Sequence, residues 1–303
     1  MESIKKNFKK LNIKIIKTDK DGNCMFNAII IALKKHNIEI KDSAKLRQIA
    51  IKFIQEKPYY IFEIESFLND TEYSIIDENF PKVEKEKLKD GVGNKLNFNN
   101  RDQVYKDLDA NGNKAIKILN KKFDENFFLN LTKKIKKKLI ISKFSNLTNF
   151  TNLKNLYSLF RKTKIVNKNY KKNIIQKLLY SNYQYTFEFS YMYNNAFLLP
   201  HTDKESKLVS LMLYFPSKNL ENLNIGTTFY NSKLKNFGND HFFPNVEENV
   251  SFYEKNLTET ITFPFKKKNL YAFIKSDLSW HAVKKLRIPE NEVRRSININ
   301  LKI

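Results

Sequence analysis

The sequence predicts an α+β chain whose helix-rich first part gives way near residue 181 to one all-β unit. Three observations carry this. Residues 115–179 are dominated by Lys, Leu, Ile and Phe at helical spacing. After 181 the texture changes to short aromatic and β-branched runs: YQYTFEFSYMY, KLVSLMLYF, GTTFY, ETITFPF, NLYAFI and RRSININL. Several alternate apolar and polar residues, the period of a half-buried strand, and polar turns such as SKNLEN and EKNLTE separate them. Many short strands in succession suggest a barrel or jelly roll.

Ahead of that unit the reading is mixed. Helical patterns run over 24–35 and 43–55, after which Pro58 interrupts. A strand is expected over 59–64, a helix over 70–79, and a loop-rich stretch over 82–113. Three segments follow: 1–57, a mostly helical supporting region over 58–180, and a β core over 181–303.

Composition narrows the classes. With 41% hydrophobic and 14% aromatic residues, the chain can bury a sizeable core. A single cysteine, Cys24, excludes an internal disulfide framework and suits a reducing compartment. No apolar run approaches the roughly 20 residues needed to span a bilayer, and the N-terminus lacks a signal-peptide pattern, so a cytoplasmic protein is expected. The net charge of +23 admits two explanations. One is a nucleic-acid partner, since Lys and Arg neutralise phosphates. The other is compositional drift toward Lys, Asn and Ile, with the densest run, KKIKKK at 133–138, forming a solvated helix face. The even spread of lysines favours drift.

Four histidines are present, and two have telling surroundings. In PHTD, His201 and Asp203 are two residues apart, a spacing that in a strand or strand end puts both side chains on one side. In SWHAV, His281 follows the strand candidate NLYAFI. Two histidines and one carboxylate on one face of an ion leave the other face open, as in a non-haem Fe(II) facial triad. Zinc with a water is the chemical alternative. Downstream, RRSININL begins with two arginines, and a guanidinium reaching into a barrel would bind a carboxylate in bidentate fashion. His241 lies between strands, facing solvent or the site entrance, and His36 follows a helical segment at the surface.

The order H-x-D, Y-F-P, G-T-T-F-Y, W-H-A-V and R-x-S-I resembles the prolyl-hydroxylase-like branch of the Fe(II)/2-oxoglutarate dioxygenases, over about residues 181–303, and YYIFEIESFLNDTEYSIIDENFPK at 59–82 resembles the strand-and-helix entry of many such enzymes. The resemblance implies a double-stranded β-helix with His201, Asp203 and His281 as iron ligands. Arg294 would bind 2-oxoglutarate, a role a one-residue slip would pass to Arg295. Tyr214 would hydrogen-bond the same carboxylate, and Tyr191 or Tyr193 would line the pocket. It further implies O₂ as cosubstrate, decarboxylation to succinate and CO₂, and hydroxylation of a protein residue or small molecule.

A second resemblance lies at the N-terminus. Asp21-Gly22-Asn23-Cys24-Met25-Phe26 is similar to the D-G-N-C-[LM]-F signature of ovarian-tumour (OTU) family cysteine proteases. It would set Cys24 at a helix N-terminus, where the dipole favours thiolate. A thiol protease also needs a histidine base within reach. His36, twelve residues on, would be roughly 18 Å away on one helix. The segment therefore reads as a partial, inert remnant.

Overall fold

The computed structural model describes residues 52–57, 59–84, 88–90, 95–144, 162–165, 180–204, 206–232 and 247–302. The OTU-like segment, with Cys24 and His36, lies outside them, as does His241.

The described strands are β1 (Lys52–Gln55), β2 (Ile61–Ile64), β3 (Lys89–Asp90), β4 (Lys95–Asn99), β5 (Lys162–Ile165), β6 (Tyr180–Met192), β7 (Leu198–His201), β8 (Lys207–Phe215), β9 (Thr228–Ser232), β10 (Leu257–Thr262), β11 (Leu270–Ile274), β12 (Trp280–Val283) and β13 (Arg294–Lys302). The helices are α1 (Asp70–Glu78), α2 (Gln103–Ala110), α3 (Lys114–Lys122), α4 (Glu125–Phe144) and α5 (Glu247–Asn256). Among the described residues the strands form a large sheet ordered β1-β2-β11-β8-β13-β6-β4-β3 and a small sheet ordered β10-β9-β12-β7. All these pairings are antiparallel; β5, off the path, pairs with β6 in parallel. No described helix is long and apolar enough to cross a membrane.

Among the described residues ahead of 181, the chain is less helical than its spacing predicts. Residues 52–55, expected in a helix, form β1, and the loop-rich reading of 82–113 gives way to β3, β4 and α2. In both cases tertiary pairing overrides local preference, because edge positions beside β2 and β6 offer backbone partners to short segments. Residues 162–165, also expected to be helical, likewise pair with β6.

The central strands β8, β13 and β6 are two-faced. On β13, Ile297, Ile299 and Leu301 are fully buried on one side, while Arg294, Ser296, Asn298, Asn300 and Lys302 face a cavity on the other. The apolar side meets aromatic groups from the helical region. Tyr73 of α1 stacks on Phe215 at 5.4 Å, Phe98 on Phe189 at 5.1 Å, and Phe128 of α4 on Tyr185 at 4.4 Å. Each buried ring contributes on the order of 2 kcal/mol of hydrophobic stabilisation, and such pairs add about 1 kcal/mol. Helix α1 is anchored by a capping box, in which Asn69 Oδ1 accepts from the Glu72 amide at 2.8 Å and Glu72 returns the bond at 3.0 Å.

The small sheet closes the other side of the cavity, and Tyr59 ties the strands ahead of it to that sheet by donating to the Trp280 carbonyl at 2.9 Å. Gly226, just before β9, marks a close approach of two chains: a Cβ there would meet the Phe263 carbonyl oxygen at 2.2 Å. Gly226→Ala is therefore expected to destabilise the fold by about 3 kcal/mol, since backbone rather than a flexible side chain must yield. Denaturant unfolding of the variant would check this.

Candidate metal centre

His201 ends β7 and His281 lies on β12, and the two are directly opposed in the antiparallel pairing of these strands. Their rings are 4.2 Å apart, and Phe273 packs on the His281 ring at 4.4 Å. The Nδ1 atom of His201 lies 2.9 Å from the Leu199 carbonyl, and that of His281 lies 2.9 Å from the Ser279 carbonyl. A carbonyl can only accept, so both Nδ1 atoms carry a proton, which leaves Nε2 as the atom of each ring able to bind an ion. The tautomer a metal ligand needs is thus set by the backbone.

Asp203 completes the group by an unexpected route. It does not continue a strand with period two. It sits just past the end of β7 with φ +67°, in the left-handed region. Aspartate tolerates this conformation better than most residues, at a cost of about 1 kcal/mol. The turn swings the carboxylate back between the imidazoles, so that Oδ1 is 3.6 Å from His201 Nε2 and Oδ2 is 3.6 Å from His281 Nε2. Those distances are too long for hydrogen bonds. One ligand atom from each residue lies within 4.8 Å of the others, a cluster one ion can join.

Two further contacts hold the carboxylate. Lys207 donates to Asp203 Oδ1 at 2.6 Å, and Ser210 to Oδ2 at 3.2 Å; Ser210 also contacts Asn300 Oδ1 at 3.1 Å. Burial acts to raise the Asp203 pKa, but Lys207 and the two imidazoles outweigh it and hold the group well below the usual carboxylate range. Burial, with the neighbouring His201, pushes His281 down to about 3, so its ring is neutral. A consequence follows for the metal-free protein. The unfolded imidazole takes a proton near pH 6.5 and the folded one only near 3, so stability is lost as pH falls through that window. From pH 7 to pH 5 the loss from His281 is expected to be about 2 kcal/mol, readable as a falling melting temperature.

Arg294 opens β13 on its cavity side and is only 3% exposed. Its Nε donates to the Ile225 carbonyl at 2.6 Å, and the guanidinium lies over the rings of Tyr214 and Phe265, each 5.3 Å away. No carboxylate pairs with it among the described residues, and burial lowers its pKa. Arg295 points the other way, to Asp77 at 2.7 Å and over Phe80. The pleat therefore separates the two arginines: Arg294 faces the cavity, and Arg295 fastens the sheet to α1.

The tyrosines fall differently. Tyr214 packs beneath Arg294, with its hydroxyl 2.9 Å from Thr227 Oγ1 and accepting from the Thr227 amide at 3.0 Å. Tyr191 does not line the cavity. It pairs with Arg295 on β13, so it shares the outer face, where its hydroxyl donates to the Pro81 carbonyl at 2.7 Å and its ring meets Phe80. Tyr193, half-buried beyond the end of β6, is also absent from the cavity wall. The cavity, about 450 Å³, takes Met192 and Ser190 from that strand instead. Sequence reasoning missed Lys207, Ser210 and Lys95. Ser210 stands on the same pleat face as Tyr214, a signal the alternation of KLVSLMLYF contained, whereas Lys207 is an odd number of residues from both and joins the cavity side through the register shift opposite Lys302.

No protein-family model matches the chain, and no curated protein matches it. Solved structures do resemble it, distantly. A prolyl-4-hydroxylase from Pseudomonas putida is 11% identical, with 81% of this chain and 93% of that one covered and a TM-score of 0.42. A prolyl hydroxylase from Trichoplax adhaerens, in complex with a hypoxia-inducible-factor peptide fragment, is 12% identical, with coverage of 90% and 92% and a TM-score of 0.39. HygX from Streptomyces hygroscopicus, solved with nickel and 2-oxoglutarate bound, is 9% identical, with coverage of 80% and 82% and a TM-score of 0.37.

Proposed function

We propose that this chain is an Fe(II)- and 2-oxoglutarate-dependent oxygenase of the prolyl-hydroxylase-like kind, its two sheets forming a double-stranded β-helix. The observation that carries the reading is the buried guanidinium of Arg294, without an acidic partner among the described residues, on the same cavity as His201, Asp203 and His281. An isolated buried cation is costly, and a dicarboxylate would satisfy it. A hydrolytic zinc site has no use for such a group.

The residues fit the metal. Two imidazoles whose Nδ1–H groups are held by backbone carbonyls and one ionised carboxylate match the two-histidine, one-carboxylate donor set of non-haem iron and leave coordination positions open. Fe(II) held there would supply the one-electron chemistry by which O₂ and 2-oxoglutarate react, giving succinate and CO₂ and one oxygen atom for the substrate. The chain's own part is to bind and orient. Arg294 would take the far carboxylate in bidentate fashion, with its plane set by Tyr214, Phe265 and the Ile225 carbonyl. Lys207 and Ser210 hold Asp203 in place for the metal. Phe273 keeps water from one face of His281.

Succinate release from 2-oxoglutarate by purified protein, measured with and without Fe(II), tests the reading. Protein that with Fe(II) neither binds nor decarboxylates 2-oxoglutarate would refute it.

A further inference from the structure

Beyond Arg294 and the metal ligands, the cavity continues along the same face of β13 through Asn298, Asn300 and Lys302. This end is polar and unbalanced. Five cationic side chains line the whole cavity against two carboxylates. Lys207 is paired with Asp203, Lys95 is paired with Glu188, and Arg294 is assigned to the cosubstrate. Lys204 and Lys302 remain without an ion-pair partner among the described residues. Lys302 is half-buried, and its ammonium is further disfavoured by burial and by the positive charges of Lys207 and Arg101. Asn300 is 8% exposed; its Oδ1 shares the single Ser210 hydroxyl proton with Asp203 Oδ2, while its amide nitrogen has no hydrogen bond among the described residues.

From this we infer that the Lys302 end of the cavity is a substrate subsite for a small polar molecule bearing a carboxylate or phosphate, with Lys302 and Lys204 holding the anion and Asn300 donating beside it. The inference rests on the oxygenase reading. Ser210 bridges Asn300 to Asp203, and Lys302 lies two residues further along the strand. The anion would thus sit about 7–10 Å from the metal ligands, one small molecule's length. The cavity volume fits such a substrate. The wall is also wrong for a bare prolyl ring, which would bury its methylenes against ammonium and amide groups.

The test is calorimetric titration of the protein loaded with Mn(II) and 2-oxoglutarate, using three three-carbon probes: glycerol 3-phosphate, glycerate and glycerol. At least one anion is expected to bind while glycerol does not, and the stronger of the two identifies the anion. Lys302→Glu should weaken that binding about tenfold or more, and Lys302→Met less. Lys204→Glu, at an exposed position, should weaken it independently of any folding defect at the strand end. Equal binding of glycerol, no anion binding, or anion binding indifferent to both charge reversals would overturn the inference. Binding of a single-stranded oligonucleotide with no response to the small anions would also overturn it, in favour of a nucleic-acid partner. Failure of 2-oxoglutarate itself to bind would instead sink the oxygenase reading. The anion titration, repeated without 2-oxoglutarate on Arg294→Met protein, would still decide the subsite.

Discussion

Arg294→Ala is expected to raise the KM for 2-oxoglutarate by about 10²–10³-fold, with a smaller effect on kcat. Removing one partner of a desolvated, bidentate charge pair costs about 2–5 kcal/mol, and every 1.4 kcal/mol is a factor of ten. The guanidinium is nearly inaccessible and is fixed by Ile225 and two aromatic rings, so little of its binding strength is spent on ordering it. Arg294→Lys restores the charge but not the planar fork, and is expected to recover only part of the loss. The neighbouring arginine supplies the control. Arg295→Ala breaks a partly exposed ion pair with Asp77 and should lower stability by up to about 1 kcal/mol while leaving the KM in place. Steady-state succinate assays on the three variants distinguish these outcomes. Equal KM effects from Arg294→Ala and Arg295→Ala would remove the basis for assigning the cosubstrate to one face of β13.

Loss of Asp203 is expected to have the largest effect of all, lowering succinate formation by at least about 10³-fold, as the removal of one of three metal ligands should. Asp203→Ala carries an ambiguity, because it also strips Lys207 of its partner. Asp203→Gly resolves it. The backbone at this position is left-handed, so glycine relieves about 1 kcal/mol of strain and offsets part of the lost ion pair. A folded Asp203→Gly protein that fails to bind Mn(II) would separate ligand loss from misfolding. His201→Ala should behave alike in turnover. Substantial Mn(II) affinity in either variant would argue that the cluster is a hydrogen-bonded structural knot and not a metal site.

The site was legible in the sequence where its chemistry follows strand parity. His281 and Arg294 both lie on strands, and the two-residue period of RRSININL by itself puts Arg294 and Arg295 on opposite sides. The parity between strands was not legible. Whether Tyr191 or Met192 enters the cavity depends on register with β13, which pairs Tyr191 with Arg295. Asp203 was identified for a reason that does not hold in the fold, since a left-handed turn rather than strand geometry aims it. The cavity wall from β4 was hidden as well. KLNFN is short and flanked by polar sequence, and only its pairing with β6 makes it a strand. The polar edge that Lys95 and Asn97 supply therefore had no local signature.

The two-sidedness of the central sheet has a consequence for how the protein can change. On β13 the apolar side chains are turned outward to the helical region and the polar ones stand on the inner face, where the packing is supplied by Met192, Met212 and Tyr214 of the neighbouring strands β6 and β8. Replacing Asn298 or Lys302 removes few apolar contacts, so such changes draw little on folding free energy. Replacing Ile297 or Ile299, one residue away, would open a void worth several kcal/mol. Selection can thus rewrite what the cavity accepts at nearly constant stability, with adjacent positions in one strand held to separate tasks.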